Sequence, residues 1–236
     1  MPKGSLQEAL SLDFDLIARA HPGAVADDET ALKLLSEEEL GPGLERMLAG
    51  HAPGEGLWVF AYGSLLWKPE FAFDARRVGT VHGFHRRFCL LQRRFRGTRE
   101  RPGLVLALDR GGSCKGVAFR LAGLDPRAAL MPVWRREMQG LGYEGRWVTV
   151  ETGDGPVRAL TFVVNRAGDR YTGRLSDAET AERIAAACGH LGPSAEYLLR
   201  TVRACAELGI HDPHLWRVQA LVAERLRACG TAANEA

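Results

Sequence analysis

Between residues 57 and 165 the chain offers a series of short apolar runs and a single segment of helical periodicity. The runs fall at 57–61, 78–83, 87–92, 104–108, 116–121, 147–151 and 158–165. Several alternate, as Val117, Phe119 and Leu121 do against Ala118 and Arg120, the signature of strands with one buried face. A doubly wound sheet needs strand and helix in strict alternation, and this order does not supply it. The expectation is a mixed α+β fold, with strands gathered around one long helix and helices at both ends.

That helix starts at Asp125-Pro126, an N-cap followed by proline at the first helical position. It runs to about Gly140, with Pro132 as a kink or a restart. Three helices close the chain. Ser176 and Glu179 form a capping box, and Gly189 is placed as the glycine just past that helix. Ser194 caps a helix ending near Gly209, and Asp212-Pro213 opens one ending at Gly230. In the first 56 residues, Asp27-Asp28-Glu29 introduces a short amphipathic helix over 30–35. Gly41-Pro42-Gly43 breaks the pattern, and residues 51–56 read as a linker. The division expected is an N-terminal helical extension and linker, 1–56, and a catalytic domain, 57–236.

At 236 residues the chain is long enough for a full core. A net charge of +2 gives no global field to recruit nucleic acid or a membrane surface. The longest apolar runs are far too short to span a bilayer. Residues 1–8 contain no apolar stretch of the secretory kind. The five cysteines are odd in number, scattered and never paired as Cys-x-x-Cys. That fits reduced, mostly buried thiols and a cytoplasmic location.

Two features carry chemistry. The first is the run Trp58-Val59-Phe60-Ala61-Tyr62-Gly63-Ser64-Leu65-Leu66-Trp67. Gly63 can take positive φ and let a ligand close to the backbone. Successive N–H groups at such a strand end form a cradle for an anion or oxyanion. The same residues also suit a plain tight turn between two core segments. The second feature is Glu137. Leu130, Val133, Trp134, Met138 and Leu141 make one apolar stripe, and Glu137 falls inside it, with Arg135, Arg136 and Gln139 on the other side. A buried carboxyl raises its pKa, which suits general acid–base work. The alternatives are a structural bridge to an arginine, or a register shift at Pro132 that carries Glu137 to the stripe's edge.

Arg86, Arg87, Arg93, Arg94, Arg96, Arg99 and Arg101, with Phe88 and Phe95 between them, make a basic stretch. Most are read as a solvated strand pair and turn, though one or two would suit an acidic substrate, and a nucleic-acid patch is disfavoured by the near-neutral charge. His82 and His85, and His211 and His214, are spaced His-x-x-His without a completing ligand, so no metal is expected. Ser64 lacks the Gly-x-Ser-x-Gly setting of a nucleophile elbow. No nucleotide-binding glycine motif is present.

These pieces in order resemble the ChaC family of γ-glutamylcyclotransferases. Residues 59–69 resemble its opening motif. His85-Arg86-Arg87-Phe88, Arg96-Gly97-Thr98 and Pro102-Gly103 match its next blocks, and 116–120 its following strand. Trp134-Arg135-Arg136-Glu137-Met138, with Tyr143, matches the segment bearing the family's catalytic glutamate. Residues 189–194, with Tyr197-Leu198, resemble its C-terminal signature. The resemblance implies a γ-glutamylcyclotransferase-like mixed β-barrel with flanking helices, and cleavage of glutathione to 5-oxoproline and cysteinylglycine without metal, nucleotide or other cofactor. It implies Glu137 as acid/base and Val59, Phe60, Ala61, Tyr62, Gly63, Ser64, Leu65 and Tyr143 as substrate-binding. Two positions depart: Ala61 stands where glycine is usual, and Leu104 where a basic residue is common. The alternatives are a cyclotransferase for other γ-glutamyl amines or dipeptides, and a non-enzymatic regulator or binding protein. No nucleic-acid or membrane partner is expected, and the oligomeric state is open.

Overall fold

The computed structural model describes residues 10–52, 54–123 and 125–234; residues 1–8, where the absence of a secretory segment was read, lie outside them. In chain order the elements are α1 (Phe14–Ala20), α2 (Glu37–Leu48), β1 (Trp58–Ala61), β2 (Phe73–Gln92), β3 (Gly103–Leu121), α3 (Pro126–Met138), β4 (Tyr143–Thr152), β5 (Val157–Val164), α4 (Asp177–Ala186), β6 (Cys188–Gly189), β7 (Gly192–Pro193), α5 (Ser194–Glu207) and α6 (Pro213–Asn234). The expected α+β class holds. The five long strands close into a barrel in the order β1-β3-β2-β4-β5, with β1 returning onto β5 in parallel and β3 also meeting β5.

The chain forms two compact units, interleaved in sequence. One comprises the described residues of 1–32, 88–105 and 172–236; the other comprises 33–87 and 106–171. In the first, α1, α4, α5 and α6 pack on one another. The buried Ser194 hydroxyl donates to the Leu104 carbonyl at 3.2 Å and accepts from the Leu104 N–H at 3.3 Å. In the second, α2 packs on α3 and α3 on β4.

Within the second unit, α3 is fixed by local chemistry and by one large side chain. The Asp125 carboxylate accepts from the Arg127 N–H at 2.9 Å, and Pro126 opens the helix. The helix runs unbroken through Pro132, because the carbonyl this proline leaves unpaired belongs to residue 128, which is solvent-exposed. Leu130, Val133 and Trp134 are buried. The Trp134 indole N–H donates to the Leu40 carbonyl at 3.2 Å, and its ring lies 6.2 Å from that of Phe162. A Cβ on Gly145 would stand 2.8 Å from the indole Cζ3, so the ring rests where β4 has no side chain.

Several local expectations are corrected. Gly41-Pro42-Gly43 lies inside α2, not at a break. Leu40 and Leu44 anchor that helix, and Gly43 leaves room for the Trp134 ring, so packing outweighs poor propensity. Residues 30–35 hold no α-helix, only the end of a single 3₁₀ turn, Glu29–Ala31. The runs 78–83 and 87–92 are one strand, β2, and 104–108 and 116–121 are one strand, β3. The Ser176 capping box forms as expected, but α4 ends at Ala186 and Gly189 pairs with Gly192 in a short hairpin. Ser194 is the first residue of α5, not its cap.

Candidate active site

The turn after β1 is a 3₁₀ turn, Ser64–Leu66, closed by bonds from the Leu66 N–H to the Gly63 carbonyl at 2.9 Å and from the Lys68 N–H to the Ser64 carbonyl at 2.8 Å. Gly63 has φ −129°, so the left-handed conformation allowed to it is not the one used. The N–H groups of Gly63, Ser64 and Leu65 meet no hydrogen-bond acceptor among the described residues, although Gly63 and Leu65 are buried. Buried backbone donors are nearly always satisfied. Three successive unengaged donors therefore mark a place where a ligand oxygen or water is needed.

Upstream of the turn, Val59, Phe60 and Ala61 are wholly buried. Their backbone pairs with β3, Val59 also pairs with β5, and the Phe60 carbonyl accepts from the Thr161 hydroxyl at 3.1 Å. The Tyr62 hydroxyl donates to the Phe162 carbonyl at 2.6 Å. Ala61 is thus the last strand residue before the turn, not part of it. Tyr143 opens β4 and donates its hydroxyl to the Leu106 carbonyl at 2.9 Å.

Glu137 lies in the last turn of α3, with a side chain 12% exposed. Burial pushes its carboxyl above the ordinary glutamate range; the Arg136 charge opposes this and the Glu70 charge adds to it. The apolar stripe is shorter than expected. The helix ends at Met138, and Leu141 turns out to solvent with φ +56°. Glu137 nevertheless stays mostly shielded from solvent, in the turn that follows Trp134.

Arg136 does not point away as the wheel placed it. Its Nε lies 3.1 Å from Glu137 Oε1, and its Nη2 donates to Ser64 Oγ at 2.7 Å. Its Nη1 donates to Glu70 Oε2 at 2.8 Å and to the Lys68 carbonyl. Lys68 Nζ in turn meets Glu70 Oε1 at 3.0 Å. One guanidinium therefore ties the turn at Ser64 to Glu137. The bridge to an arginine, raised as an alternative to a functional Glu137, exists; it coexists with a raised pKa because burial outweighs it.

Arg136, Lys68 and Glu70 escaped the sequence reading. Side chains at i and i+1 on a helix do not face each other, and nothing in the spacing shows the 68–70 segment meeting α3. The left-handed φ of Glu70, +54°, is visible only in the folded backbone.

The basic stretch is mostly paired, not solvated. Arg86 is buried with its guanidinium on the Lys115 carbonyl, and Arg87 lies 3.8 Å from Asp109. Arg94 grips Asp27 through two bonds, Arg96 meets Glu196 at 3.2 Å, and Arg99 meets Asp28 at 3.2 Å. His85 Nδ1 contacts the Gly111 carbonyl, and His214 Nδ1 contacts Asp177. Among the described residues no group of three or more His, Cys, Asp and Glu side chains is placed to hold a metal. Cys89, Cys114 and Cys205 are buried, Cys188 is half-buried and Cys229 exposed. No described helix is long and apolar enough to cross a membrane.

A family profile described as ChaC-like protein matches residues 57–225. The glutathione-specific γ-glutamylcyclotransferase of Escherichia coli is 36% identical over 197 residues, covering 80% of this chain and 85% of that protein. Human glutathione-specific γ-glutamylcyclotransferase 1 is 37% identical over 151 residues, covering 62% and 68%. The crystal structure of a yeast γ-glutamyl cyclotransferase specific to glutathione superposes with a TM-score of 0.66 at 22% identity, over 72% of this chain and 97% of that one. That likeness shows a shared fold.

Proposed function

This chain belongs to the ChaC-like family, and on that premise we propose that it cleaves glutathione to 5-oxoproline and cysteinylglycine, with Glu137 as general acid and base. The observation that carries this reading is the Arg136 bridge, which joins a buried carboxyl of raised pKa to a turn with three unengaged N–H groups.

The γ-glutamyl group holds its own nucleophile. Its α-amine attacks the γ-carbonyl carbon, a five-membered ring closes, and the bond to the cysteinyl nitrogen breaks. Because the attack is intramolecular, the enzyme's main task is to hold the chain folded in the attacking shape. The amine arrives as an ammonium and ends as a lactam N–H, while the departing nitrogen ends as an ammonium, so two protons pass between them. One must leave the ammonium before attack and one must reach the departing nitrogen as its bond breaks, the remaining loss and gain being exchanged with solvent. In the proposal, Glu137 takes the first and returns the second, which suits a carboxyl titrating nearer the operating pH. The donors at Gly63, Ser64 and Leu65 hold either the carbonyl oxygen as it becomes negative or the α-carboxylate. Ser64 is not the nucleophile: its oxygen accepts from a guanidinium, which cannot act as its base. In the proposal, Val59, Phe60 and Ala61 hold the turn from the core, and Tyr62 and Tyr143 bind the substrate. The proposal includes a catalytic segment beginning at residue 57 after a 56-residue extension, and a cytoplasmic setting that keeps the thiols reduced.

The test is incubation of the purified chain with glutathione and, separately, γ-glutamylalanine, with chromatographic detection of 5-oxoproline and the released amine. Equal amounts of 5-oxoproline and cysteinylglycine, with little product from γ-glutamylalanine, are expected. Faster turnover of γ-glutamylalanine would move the enzyme to other γ-glutamyl amines. No product from either would leave a binding role.

A further inference from the structure

The Arg136 guanidinium is shared between two carboxylates that are not alike. Glu137 is buried and approached by Nε at 3.1 Å; Glu70 lies in the loop after the 3₁₀ turn, is nearly half exposed, and is met by Nη1 at 2.8 Å. Glu70 is met by a second cation in this position. Lys68 grips its other oxygen at 3.0 Å, and its backbone is left-handed at φ +54°. A non-glycine residue in that conformation is uncommon and costs energy that the surroundings must offset. A surface ion pair alone offers little to justify it.

From this geometry we infer that Glu70 is a positioning residue that acts on Glu137 through Arg136, by claiming part of the guanidinium that would otherwise serve Glu137 alone. Without Glu70, Arg136 would be free to settle on Glu137 as a close pair and hold it ionised, making it a poor acid for the departing nitrogen. With Glu70, Arg136 is braced across Glu70 and Ser64 and steadies Glu137 without neutralising its tendency to take a proton. The inference rests on Glu137 being the acid/base of the proposed reaction.

Other charges near α3 are engaged elsewhere. On α2, Glu37 meets Arg135 and Glu45 meets Arg127; on β4, Glu144 meets Arg146; Lys68 is on Glu70, and Arg170 donates to the Gly140 carbonyl. Arg136 and Glu70 are the charges that act on the Glu137 carboxyl. Burial raises it, Glu70 raises it further, and Arg136 lowers it. Replacing Glu70 with glutamine removes a raising charge and frees a lowering one. Both effects act in the same direction, so the Glu137 pKa falls.

The experiment follows Glu137 with and without turnover. In the full chain labelled with ¹³C at glutamate Cδ, with Glu137→Gln assigning the resonance, Glu70→Gln should move the Glu137 midpoint toward acid by about half a pH unit or more. The acid limb of kcat/KM for glutathione should move with it, so that below the wild-type midpoint the variant is about threefold faster relative to its own plateau. Arg136→Gln should move both toward alkali, and Arg136→Lys should restore much of that displacement. In the Arg136→Gln background, Glu70→Gln should have a clearly smaller effect. A Glu137 midpoint unmoved or raised in Glu70→Gln would overturn the inference, as would an equal displacement with and without Arg136. If the midpoint moves but Glu137→Gln retains full turnover, the electrostatic linkage stands and the acid/base role of Glu137 fails.

Discussion

Trp134 is the contact that places Glu137, and a double-mutant cycle with Gly145 measures it. The indole is 3% exposed, donates to the Leu40 carbonyl, packs near Phe162 and occupies the space above Gly145. Trp134→Ala removes the ring and its hydrogen bond to the Leu40 carbonyl, a loss of about 3–5 kcal/mol, or about 6–20 °C in Tm for a chain of this size. Gly145→Ala pushes a methyl to 2.8 Å from Cζ3 and 3.1 Å from Cη2. Both contacts are with a ring fixed on all sides, so overpacking should cost about 1–3 kcal/mol. With the ring gone, the same methyl keeps only an ordinary contact with Leu160 Cδ1 at 3.6 Å, and its cost should vanish or become a gain of a few tenths of a kcal/mol, since alanine suits a strand better than glycine. The coupling should therefore be at least about 1 kcal/mol, of favourable sign for the pair. Urea denaturation of the four proteins supplies the numbers. Trp134→Ala should also lower kcat more than it raises KM, because the helix turn bearing Glu137 loses its anchor. An additive cycle would refute the packing argument. Full kcat in Trp134→Ala would refute the claim that this ring positions the site.

Ser64→Ala removes the acceptor for Arg136 Nη2; a loss of about 1–2 kcal/mol of charge-assisted bonding predicts a drop of about 5- to 30-fold in kcat/KM, and abolished turnover with a trapped acyl-enzyme would instead reveal a serine nucleophile. Asp109 is 1% exposed and is met by Arg166 at 2.9 Å, the Tyr171 hydroxyl at 2.9 Å and the Arg110 N–H. Burial works to raise its pKa, but the Arg110 N–H, Tyr171 and Arg166 together outweigh it and hold the carboxyl low. Asp109→Asn should cost about 1–3 kcal/mol at pH 7. Because the folded pKa is the lower one, the wild-type advantage is present in full above the unfolded carboxylate pKa of about 3.9 and shrinks as pH falls below it. Urea midpoints at pH 7 and below pH 4 check this, and a gap unchanged by pH would count against it.

The sequence showed the odd carboxylate and the turn, because a helical stripe and a strand end are local patterns. It could not show how they meet. The alternating runs marked strand positions, yet the gaps between the runs at 83–87 and at 108–116 are stretches of continuous strand. The glycines in them, Gly83, Gly111 and Gly112, take positive φ without ending the pairing. Gly41-Pro42-Gly43 reads as a breaker until the Trp134 ring is seen packed against Gly43. The capping signature Ser36-Glu37-Glu38-Glu39 was there to find, and it fixes the start of α2. Arg136 was beyond reach, since the loop that turns it toward Ser64 and Glu70 is brought to α3 only by the closed barrel.

The most direct test is the rate of 5-oxoproline release from saturating glutathione by Glu137→Gln, beside the wild type and with matching Tm. A fall of about 10²-fold or more in kcat, in a protein that melts as the wild type does, is the predicted result. A glutamine variant that releases 5-oxoproline at close to the wild-type rate would contradict the account at its centre.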